Sequence, residues 1–505
     1  MTTVATASDT LTRDALTVLQ PGFLGTTAPD WLLRRIGEGL SSVGLFGRNI
    51  ASPEQLAALT ARLRAERDDV LVAIDEEGGD VTRLEVRHGS SFPGNYALGA
   101  VDDVDLTRAV AEELGRRLAA CGVDLNWAPS ADVNSNADNP VIGVRSFGAG
   151  PDLVARHTVA YVEGLQAVGV AACTKHFPGH GDTNVDSHHA MPRIDVDLAT
   201  LHARELVPFR AAIAAGTKAV MSAHILLSAL DPDRPATLSP QILTGLLRQE
   251  LGFEGLIVTD GMEMQAIAAT YGIERGSVLA IAAGADAICV GGGLADEDTV
   301  LRLRDALVAA VRTGELPEGR LADAAARVRA LAAWTQAHRA RGAVPGPGAA
   351  VQEGTAPGTE IGLVAARRAL TVTTGERPYT PVTGAPYVAA FTPVANIAVG
   401  DETPWGVAAE LERLLPGTET GAYDEPSVDA VLAAAGERRI VAVVRDAHRY
   451  PWMTEALDGL LAARPDTVVV EMGLNQAEPR GALHIATHGA ARVCGRAAAE
   501  AIAGV

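Results

Sequence analysis

Residues 171–193 read AACTKHFPGHGDTNVDSHHAMPR, a short apolar run followed by a loop rich in ionisable side chains. The run 171–174 predicts the end of a buried strand, and the glycines and proline beyond it predict an irregular loop. Perturbable groups cluster at functional sites, so this density favours a functional loop over a solvated surface loop without a role. The ionisable side chains of the stretch are Lys175, His176, His180, Asp182, Asp186, His188 and His189.

Two chemical interpretations of this loop stay open on its own residues. Histidine and aspartate are common ligands of zinc and iron, which would make the loop a metal site. Alternatively, Asp186 and His188 form a proton-transfer pair, because a two-residue spacing in a loop can place a carboxylate beside an imidazole nitrogen and orient the ring. The remainder of the chain has to separate the two.

Length and composition bound the fold and the partners. A chain of 505 residues with 48% hydrophobic content predicts two or three domains with large cores. Its net charge of −20 argues against nucleic acid and anionic membranes as partners. No secretory signal and no apolar run of membrane-spanning length is visible, and the four cysteines lie far apart in apolar settings. These features predict reduced cysteines and a cytoplasmic location.

Residues 1–340 alternate short apolar segments with helical patterns rich in Ala, Leu and Arg. This alternation predicts parallel strands joined by helices, and about eight such units over this length predict a (β/α)8 barrel of the TIM type. The predicted strands are 43–47, 70–75, 123–128, 170–175, 219–224, 256–260 and 286–290.

Polar side chains fall at the ends of four of these predicted strands. Asp75, His224 and Asp260 each end one strand, and Lys175 and His176 end another. Barrel enzymes carry their active sites at the carboxyl ends of the strands. The sequence therefore predicts a polar site at that end of the barrel.

A second domain is predicted beyond residue 340. Residues 341–358, RGAVPGPGAAVQEGTAPG, are rich in breakers without periodicity and predict a linker. Residues 359–505 alternate strands and helices again, which predicts a smaller three-layer α/β sandwich. This part has no glycine-rich phosphate loop. Its predicted strands are 371–373, 387–391, 439–444, 467–471 and 483–486.

Five motifs follow one another in an order that one enzyme family shares. They are LFGRN at 45–49, IDEEGG at 74–79, NPVIGVRSFG at 139–148, KHFPGHGDT at 175–183 with DSH at 186–188, and VTDGM at 258–262. Together they resemble glycoside hydrolase family 3, and specifically its NagZ-like β-N-acetylglucosaminidase branch. The resemblance covers most of residues 20–295, whereas residues 359–505 fit the family's second domain by size and strand pattern only.

The resemblance implies a retaining exo-β-N-acetylglucosaminidase, a β-N-acetylhexosaminidase that works without metal or cofactor. It implies that Asp260 is the nucleophile and that Asp186 and His188 form the acid/base dyad, so the dyad is favoured over the metal site. One departure is Glu76-Glu77 followed by Asp80, where the family commonly has a glutamine and an arginine. The side chains implied to bind the sugar are Asp75, Arg83, Arg145, Lys175 and His176.

Four functions are weighed against one another. The leading one removes terminal, non-reducing β-linked N-acetylglucosamine (GlcNAc) from chitin oligosaccharides or cell-wall muropeptides. An alternative is a phosphorylase that gives GlcNAc 1-phosphate, because a neutral His188 would not repel phosphate as a glutamate would. A catalytically silent sugar sensor and a metal-dependent hydrolase are the other two, and retention of Asp260, Asp186 and His188 speaks against the sensor.

Overall fold

A computed structural model of the protein describes residues 7–185, 191–341, 357–375, 378–393, 399, 402–424 and 427–505. The chain divides into two units, one of residues 1–76, 107–140 and 149–353, the other of residues 77–106, 141–148 and 354–505. The second unit thus takes two segments from the region assigned to the barrel by sequence. The domain boundaries 1–340 and 359–505 stay a prediction, and residues 342–356 of the predicted linker lie outside the described residues.

The first unit is built on short, mostly buried strands. In chain order they are β1 (Leu19–Pro21), β2 (Ser42–Leu45), β3 (Leu71–Ile74), β4 (Leu125–Asn126), β5 (Ala171–Phe177), β6 (Arg193–Ile194), β7 (Ala219–Ser222), β8 (Leu226–Leu227), β9 (Leu256–Thr259) and β10 (Ile288–Val290). Strands β6 and β8 form a separate small ladder. Strand β1 was not predicted, because it is three residues long and contains a proline.

The other eight described strands form the barrel. Six pair in parallel in the order β2-β3-β4-β5-β7-β9, and β1 pairs in parallel with β10. A parallel bridge between Val258 of β9 and Ala287 joins β9 to the β10 side. Ser42 of β2 donates its hydroxyl to the Leu19 carbonyl of β1 at 3.1 Å, which closes the ring. The predicted (β/α)8 barrel is therefore confirmed.

Two helices of the first unit begin at a side chain that caps the first turn. Ser52 accepts a hydrogen bond from the Gln55 amide before one helix, and Asp296 accepts one from the Thr299 amide before another. Apart from Asn95–Val101, the described α-helices up to residue 340 are Ala7–Thr17, Asp30–Glu38, Pro53–Glu66, Val104–Ala120, Pro151–Ala167, Leu198–Thr200, Leu206–Ala214, Gln265–Tyr271, Ile273–Ala283, Glu297–Arg312 and Glu318–Ala340, with wider π-type turns at Leu201–Glu205 and Gln241–Glu250.

The amino ends of the barrel strands carry structural ion pairs. Asp286, two residues before β10, is fully buried, and its Oδ1 accepts from Arg320 Nη2 at 2.6 Å. Asp124, directly before β4, pairs with Arg64 at 2.6 Å and with Arg339. Removing one partner of a buried pair is strongly destabilising, so these groups stabilise this end of the barrel. The opposite, carboxyl end carries the predicted site residues.

The second unit is a three-layer α/β sandwich, as predicted. Its described strands are β11 (Thr371–Thr374), β12 (Tyr387–Phe391), β13 (Glu419–Tyr423), β14 (Ile440–Val444), β15 (Val468–Glu471) and β16 (Leu483–Ala486). They form one sheet in the order β11-β16-β15-β14-β12-β13, in which only β11 runs antiparallel. Strand β13 was not predicted, because its sequence ETGAY lacks a buried apolar face and lies at the sheet edge.

Helices cover both faces of this sheet. One face packs against Pro357–Ala369, Ala408–Leu414 and Arg492–Ala503, and the other against Val428–Ala435 and Pro451–Ala463. A further helix of this unit, Asn95–Val101, belongs to its 77–106 segment. Across the described part of the chain, no helix combines the length and apolarity that crossing a membrane requires.

Candidate active site

The structure brings several predicted site residues together at the carboxyl ends of the barrel strands. Asp75 directly follows β3, Lys175 and His176 lie near the end of β5, and Asp260 directly follows β9. The predicted dyad, Asp186 and His188, lies outside the described residues. Arg83 and Arg145 belong to the second unit and are described with it below.

Asp75 and Lys175 form a short ion pair. Lys175 Nζ donates to Asp75 Oδ1 at 2.6 Å, and the lysine side chain is only 2% exposed whereas that of Asp75 is 19% exposed. A buried ammonium beside a carboxylate is stabilised by its oppositely charged partner. The pair presents a carboxylate and cationic N–H groups side by side, which suits recognition of neighbouring hydroxyls.

Strand β5 contains a bulge at Lys175 and His176. Thr174 lies opposite Val220 and Phe177 opposite Ser222, so two residues of β5 face one residue of β7. The Lys175–His176 peptide bond is cis. Bulges beside active sites redirect side chains, and this one brings two consecutive residues to the carboxyl end of the strand.

Asp132 was not predicted as a site residue, yet it organises this end of β5. It is fully buried, and its Oδ2 accepts from His176 Nδ1 at 2.7 Å and from Ser130 Oγ at 2.9 Å. Its Oδ1 accepts from the backbone amides of His176, at 3.2 Å, and His180, at 2.7 Å. This bonding fixes His176 Nδ1 as a donor and sets the orientation of the ring.

The electrostatics of this cluster keep Asp132 charged. Burial raises the pKa of its carboxyl, but the adjacent His176 and His180, through charge and hydrogen bonds, lower the pKa to about 2. Burial lowers the pKa of the His180 imidazole to about 4, so that ring is neutral near pH 7. The His180 ring meets the His176 ring edge-on, with centroids 5.9 Å apart. His180 therefore packs beside the site as an uncharged group.

Asp132→Asn is expected to lower the free energy of unfolding by about 2 kcal/mol at pH 7, because the folded state depresses the pKa of Asp132 below its unfolded value of about 4. A carboxyl whose pKa is lower in the folded state stabilises the protein fully at pH values above its pKa in the unfolded state. This stabilisation disappears as the pH falls through the pKa of the folded state. The difference from wild type should thus shrink between about pH 4 and pH 2. Urea unfolding of both proteins across pH measures it, with the exposed Asp138→Asn of the same loop as control. Equal stabilities at pH 7 would contradict a charged Asp132.

Asp260 lies on a turn that backbone hydrogen bonds and the His224 side chain stabilise. Its amide donates to the Ser222 carbonyl at 3.2 Å, and its Oδ1 accepts from the Gly261 amide at 2.8 Å. His224 is buried, donates Nε2–H to the Gly261 carbonyl at 2.9 Å, and contacts Thr237 Oγ1 through Nδ1 at 2.9 Å. His224, predicted only as a polar strand end, thus supports the turn that carries Asp260.

The buried Cys173 thiol of β5 lies within reach of the charges of Lys175, Asp75 and Asp260. Burial raises its pKa well above the usual value, Lys175 opposes that rise, and the negative charges of Asp75 and Asp260 add to it. Charges that act on the same buried atom lie near one another. The first unit therefore gathers Asp260, Asp75 and Lys175 around one end of its barrel.

Arg145, in the second unit, is held by a carboxylate that was not predicted. Its Nε donates to Glu77 Oε2 at 3.1 Å and its Nη2 to Glu77 Oε1 at 2.7 Å, with both side chains buried. Asn95 Nδ2 donates to the Arg145 carbonyl at 2.8 Å. Arg83 is half-buried in the same unit. The sugar-binding roles of Arg83 and Arg145 stay predictions.

The described arrangement suits carbohydrate chemistry. A carboxylate on a fixed turn can act as a nucleophile at an anomeric carbon, and an adjacent carboxylate–ammonium pair can grip sugar hydroxyls. Within the described residues, no group of three or more His, Cys, Asp or Glu side chains is placed to hold a metal ion.

Comparisons with known proteins match this chemistry. The profile of the glycosyl hydrolase family 3 N terminal domain matches residues 35–331, more than half of the chain. Beta-hexosaminidase A of Pseudoalteromonas piscicida is 35% identical over 332 residues, 61% of this chain and 55% of that protein, so the chain spans about half of that relative. A beta-hexosaminidase of Chromobacterium violaceum (strain ATCC 12472) is 39% identical over 258 residues, 50% of this chain and 71% of that protein.

A solved structure is similar over the whole chain. The glycoside hydrolase family 3 beta-N-acetylglucosaminidase from Paenibacillus sp. str. FPU-7 superposes with a TM-score of 0.86 at 33% identity, covering 99% of this chain and 97% of that one. These comparisons confirm the family resemblance that the five motifs predict and the prediction that the chain is a glycoside hydrolase. The chain belongs to glycoside hydrolase family 3.

Proposed function

We propose that the chain is a retaining exo-β-N-acetylglucosaminidase that removes terminal, non-reducing β-linked GlcNAc. The observation that carries the proposal is the grouping of Asp260, the Asp75–Lys175 pair and the Asp132-held His176 at the carboxyl end of one barrel. A retaining glycosidase needs a nucleophilic carboxylate near the anomeric carbon and groups that fix the sugar against it.

In the proposed mechanism, Asp260 attacks the anomeric carbon and forms a covalent glycosyl ester while the glycosidic bond breaks. His188, oriented by Asp186, gives its proton to the departing oxygen in this step. In the second step the neutral His188 takes a proton from water, which attacks the same carbon and releases Asp260. Two displacements at one carbon return the β configuration.

The sugar is proposed to be held by charged side chains around the nucleophile. Asp75 accepts hydrogen bonds from hydroxyls, and Lys175, paired with it at 2.6 Å, donates to them. His176 offers a ring whose orientation Asp132 sets. Arg83 and Arg145 complete the predicted set of sugar-binding residues.

The relatives support the choice of GlcNAc as the sugar, since two are named beta-hexosaminidases and the Paenibacillus enzyme is a beta-N-acetylglucosaminidase. The proposed natural substrates are chitin oligosaccharides or muropeptides. The proposed compartment is the cytoplasm, because all four cysteines are buried and none forms a disulfide.

The test is product identification from an aryl N-acetylglucosaminide and from a chitin oligosaccharide, followed by NMR of the first anomer released. The expected result is β-GlcNAc from the non-reducing end, with water as acceptor. Parallel reactions in phosphate, with sulfate as the ionic-strength control, decide the acceptor. GlcNAc 1-phosphate as the main product would replace hydrolysis by phosphorolysis, and α-GlcNAc released first would contradict a retaining mechanism.

A further inference from the structure

Asp80 is a buried carboxylate in the segment after β3, and the sheet of the second unit holds it. Its side chain is 2% exposed and pairs with Arg445, the residue after β14. Its Oδ1 also accepts from the Ala490 amide at 2.7 Å, four residues beyond β16. A buried charge that meets both a guanidinium and a backbone amide is strongly localised.

The start of the helix Arg492–Ala503 holds more of the same segment. Ala490 lies just before this helix, so its positive end also favours the Asp80 carboxylate. Arg492 Nη2 donates to Glu85 Oε1 at 3.3 Å, and the Val493 amide donates to the Ser90 carbonyl at 3.3 Å. The segment 77–106 is thus tied along its length to one end of the sandwich.

That end is where open α/β sheets usually bind ligands. The chain passes from β12 to β13 on one side and then to β14 on the other, so the topological switch lies between β12 and β14. Ligands of such sheets bind outside the carboxyl ends of the strands at this switch. Here Arg445, which follows β14, forms an ion pair with Asp80. The Tyr96 ring packs against the ring of His488, which lies beyond β16, with centroids 5.2 Å apart. The segment 77–106 occupies this edge.

A short path connects Asp80 to Arg145. Asp80 lies three residues after Glu77, which grips the guanidinium of Arg145 through both of its oxygens. The chain between them is kept tight, because the Gly79 amide donates to the Phe92 carbonyl at 3.0 Å and a Cβ at Gly79, with φ +64°, would lie 2.4 Å from Gly94. Asp80 and Glu77 therefore lie in one tight turn of the chain.

We propose that Asp80 and Arg445 are positioning residues for substrate binding. The carboxyl ends of the strands of the second sheet, where such sheets usually bind a ligand, instead bind the segment 77–106. Through this contact they orient Arg145. This inference rests on the proposed function, in which Arg145 binds the sugar.

The test compares Asp80→Asn and Arg445→Met with wild type and with Glu500→Gln. Glu500 pairs with Arg367 and Arg496 in the same unit, and both of these partners lie outside the 77–106 segment, so Glu500→Gln serves as the matched control. We expect KM for an aryl N-acetylglucosaminide to rise about tenfold in both variants with kcat within about threefold, because binding common to ground and transition states is lost. Faster hydrogen exchange in peptides from residues 77–106 should accompany the change.

The outcomes separate this inference from the proposed function. An active wild type whose two variants keep its KM and its exchange rates would overturn the positioning role. The positioning role would also be overturned if KM stayed constant and kcat fell only in proportion to the fraction of unfolded protein. The Asp80–Arg445 pair would then only stabilise the fold. A wild type without turnover would contradict the proposed function, and hydrogen exchange alone would then decide whether Asp80 fixes the segment. If Asp80→Asn does not fold, Arg445→Met, which leaves the Ala490 bond intact, carries the test.

Discussion

Asp260→Asn is expected to lower kcat by about 10⁴-fold or more on every N-acetylglucosaminide, because an amide cannot form the glycosyl ester. The substitution preserves the shape of the side chain and an Oδ1 that accepts from the Gly261 amide, at 2.8 Å in the wild type. The turn held by His224 should therefore keep its structure. Steady-state kinetics with activated and unactivated leaving groups measure the loss.

Two controls make this result decisive. Asp298→Asn, at an exposed position of the same unit, should leave kcat and the melting temperature unchanged. Mass spectrometry of the Asp260→Asn protein excludes deamidation back to aspartate as a source of activity. Near-normal turnover by an intact asparagine variant would remove Asp260 from the nucleophile's role and favour a mechanism in which the substrate's own acetamido group attacks.

Asp75→Ala is expected to lower kcat/KM by about 10³-fold. Hydrogen bonds to charged groups contribute about 1.5–3 kcal/mol each, and loss of two such bonds to sugar hydroxyls totals about 4 kcal/mol. The substitution also leaves Lys175, which is 2% exposed and donates to Asp75 at 2.6 Å, without this partner. Kinetics on an aryl N-acetylglucosaminide give the loss, and circular dichroism confirms that the fold persists.

A double-mutant cycle with Lys175→Met tests whether the pair acts as a unit. Removing both members should cost much less than the sum of the single losses, because each single variant keeps one charge of the pair without the other and the double variant keeps neither. Strictly additive losses in kcat/KM would show that Asp75 and Lys175 bind the sugar independently. A loss below about tenfold in Asp75→Ala would contradict a role in gripping the sugar.

The barrel and most strand-end residues are predictable from sequence for a physical reason. Parallel strands joined by helices bring their carboxyl ends to one side, so Asp75, Lys175 and Asp260 are expected near one another without any contact being known. Family motifs then assign their roles. The assignment of the acid/base dyad rests on that resemblance, since Asp186 and His188 lie outside the described residues.

The partners of these residues are not predictable in the same way. Asp132 belongs to a loop rich in Asn and Asp, and nothing local distinguishes it from Asp138, yet only Asp132 is buried against His176 and His180. A possible signal is its position shortly after β4, at the carboxyl end of the barrel. Glu77 lies beside Glu76 in the sequence, and only the fold shows that it is Glu77 that holds Arg145.

The division of the chain also depends on contacts between distant segments. Composition changes at residues 341–358, which predicts a boundary there. Segments 77–106 and 141–148 nevertheless belong with the sandwich, through pairs such as Asp80 with Arg445. Pairings across more than 360 residues leave no mark in a local pattern. The short strands β1 and β13 are missed for a related reason, since neighbours across the sheet stabilise them more than their own residues do.

Direct labelling tests whether Asp260 forms the covalent intermediate. The enzyme is incubated with a fluorinated N-acetylglucosaminyl fluoride, which slows the second step more than the first, then digested and sequenced by mass spectrometry. We predict one sugar residue per active enzyme, attached by an ester to the peptide that carries Asp260 and absent from Asp260→Asn. A label on another side chain, or inactivation without any sugar attached, would contradict the account.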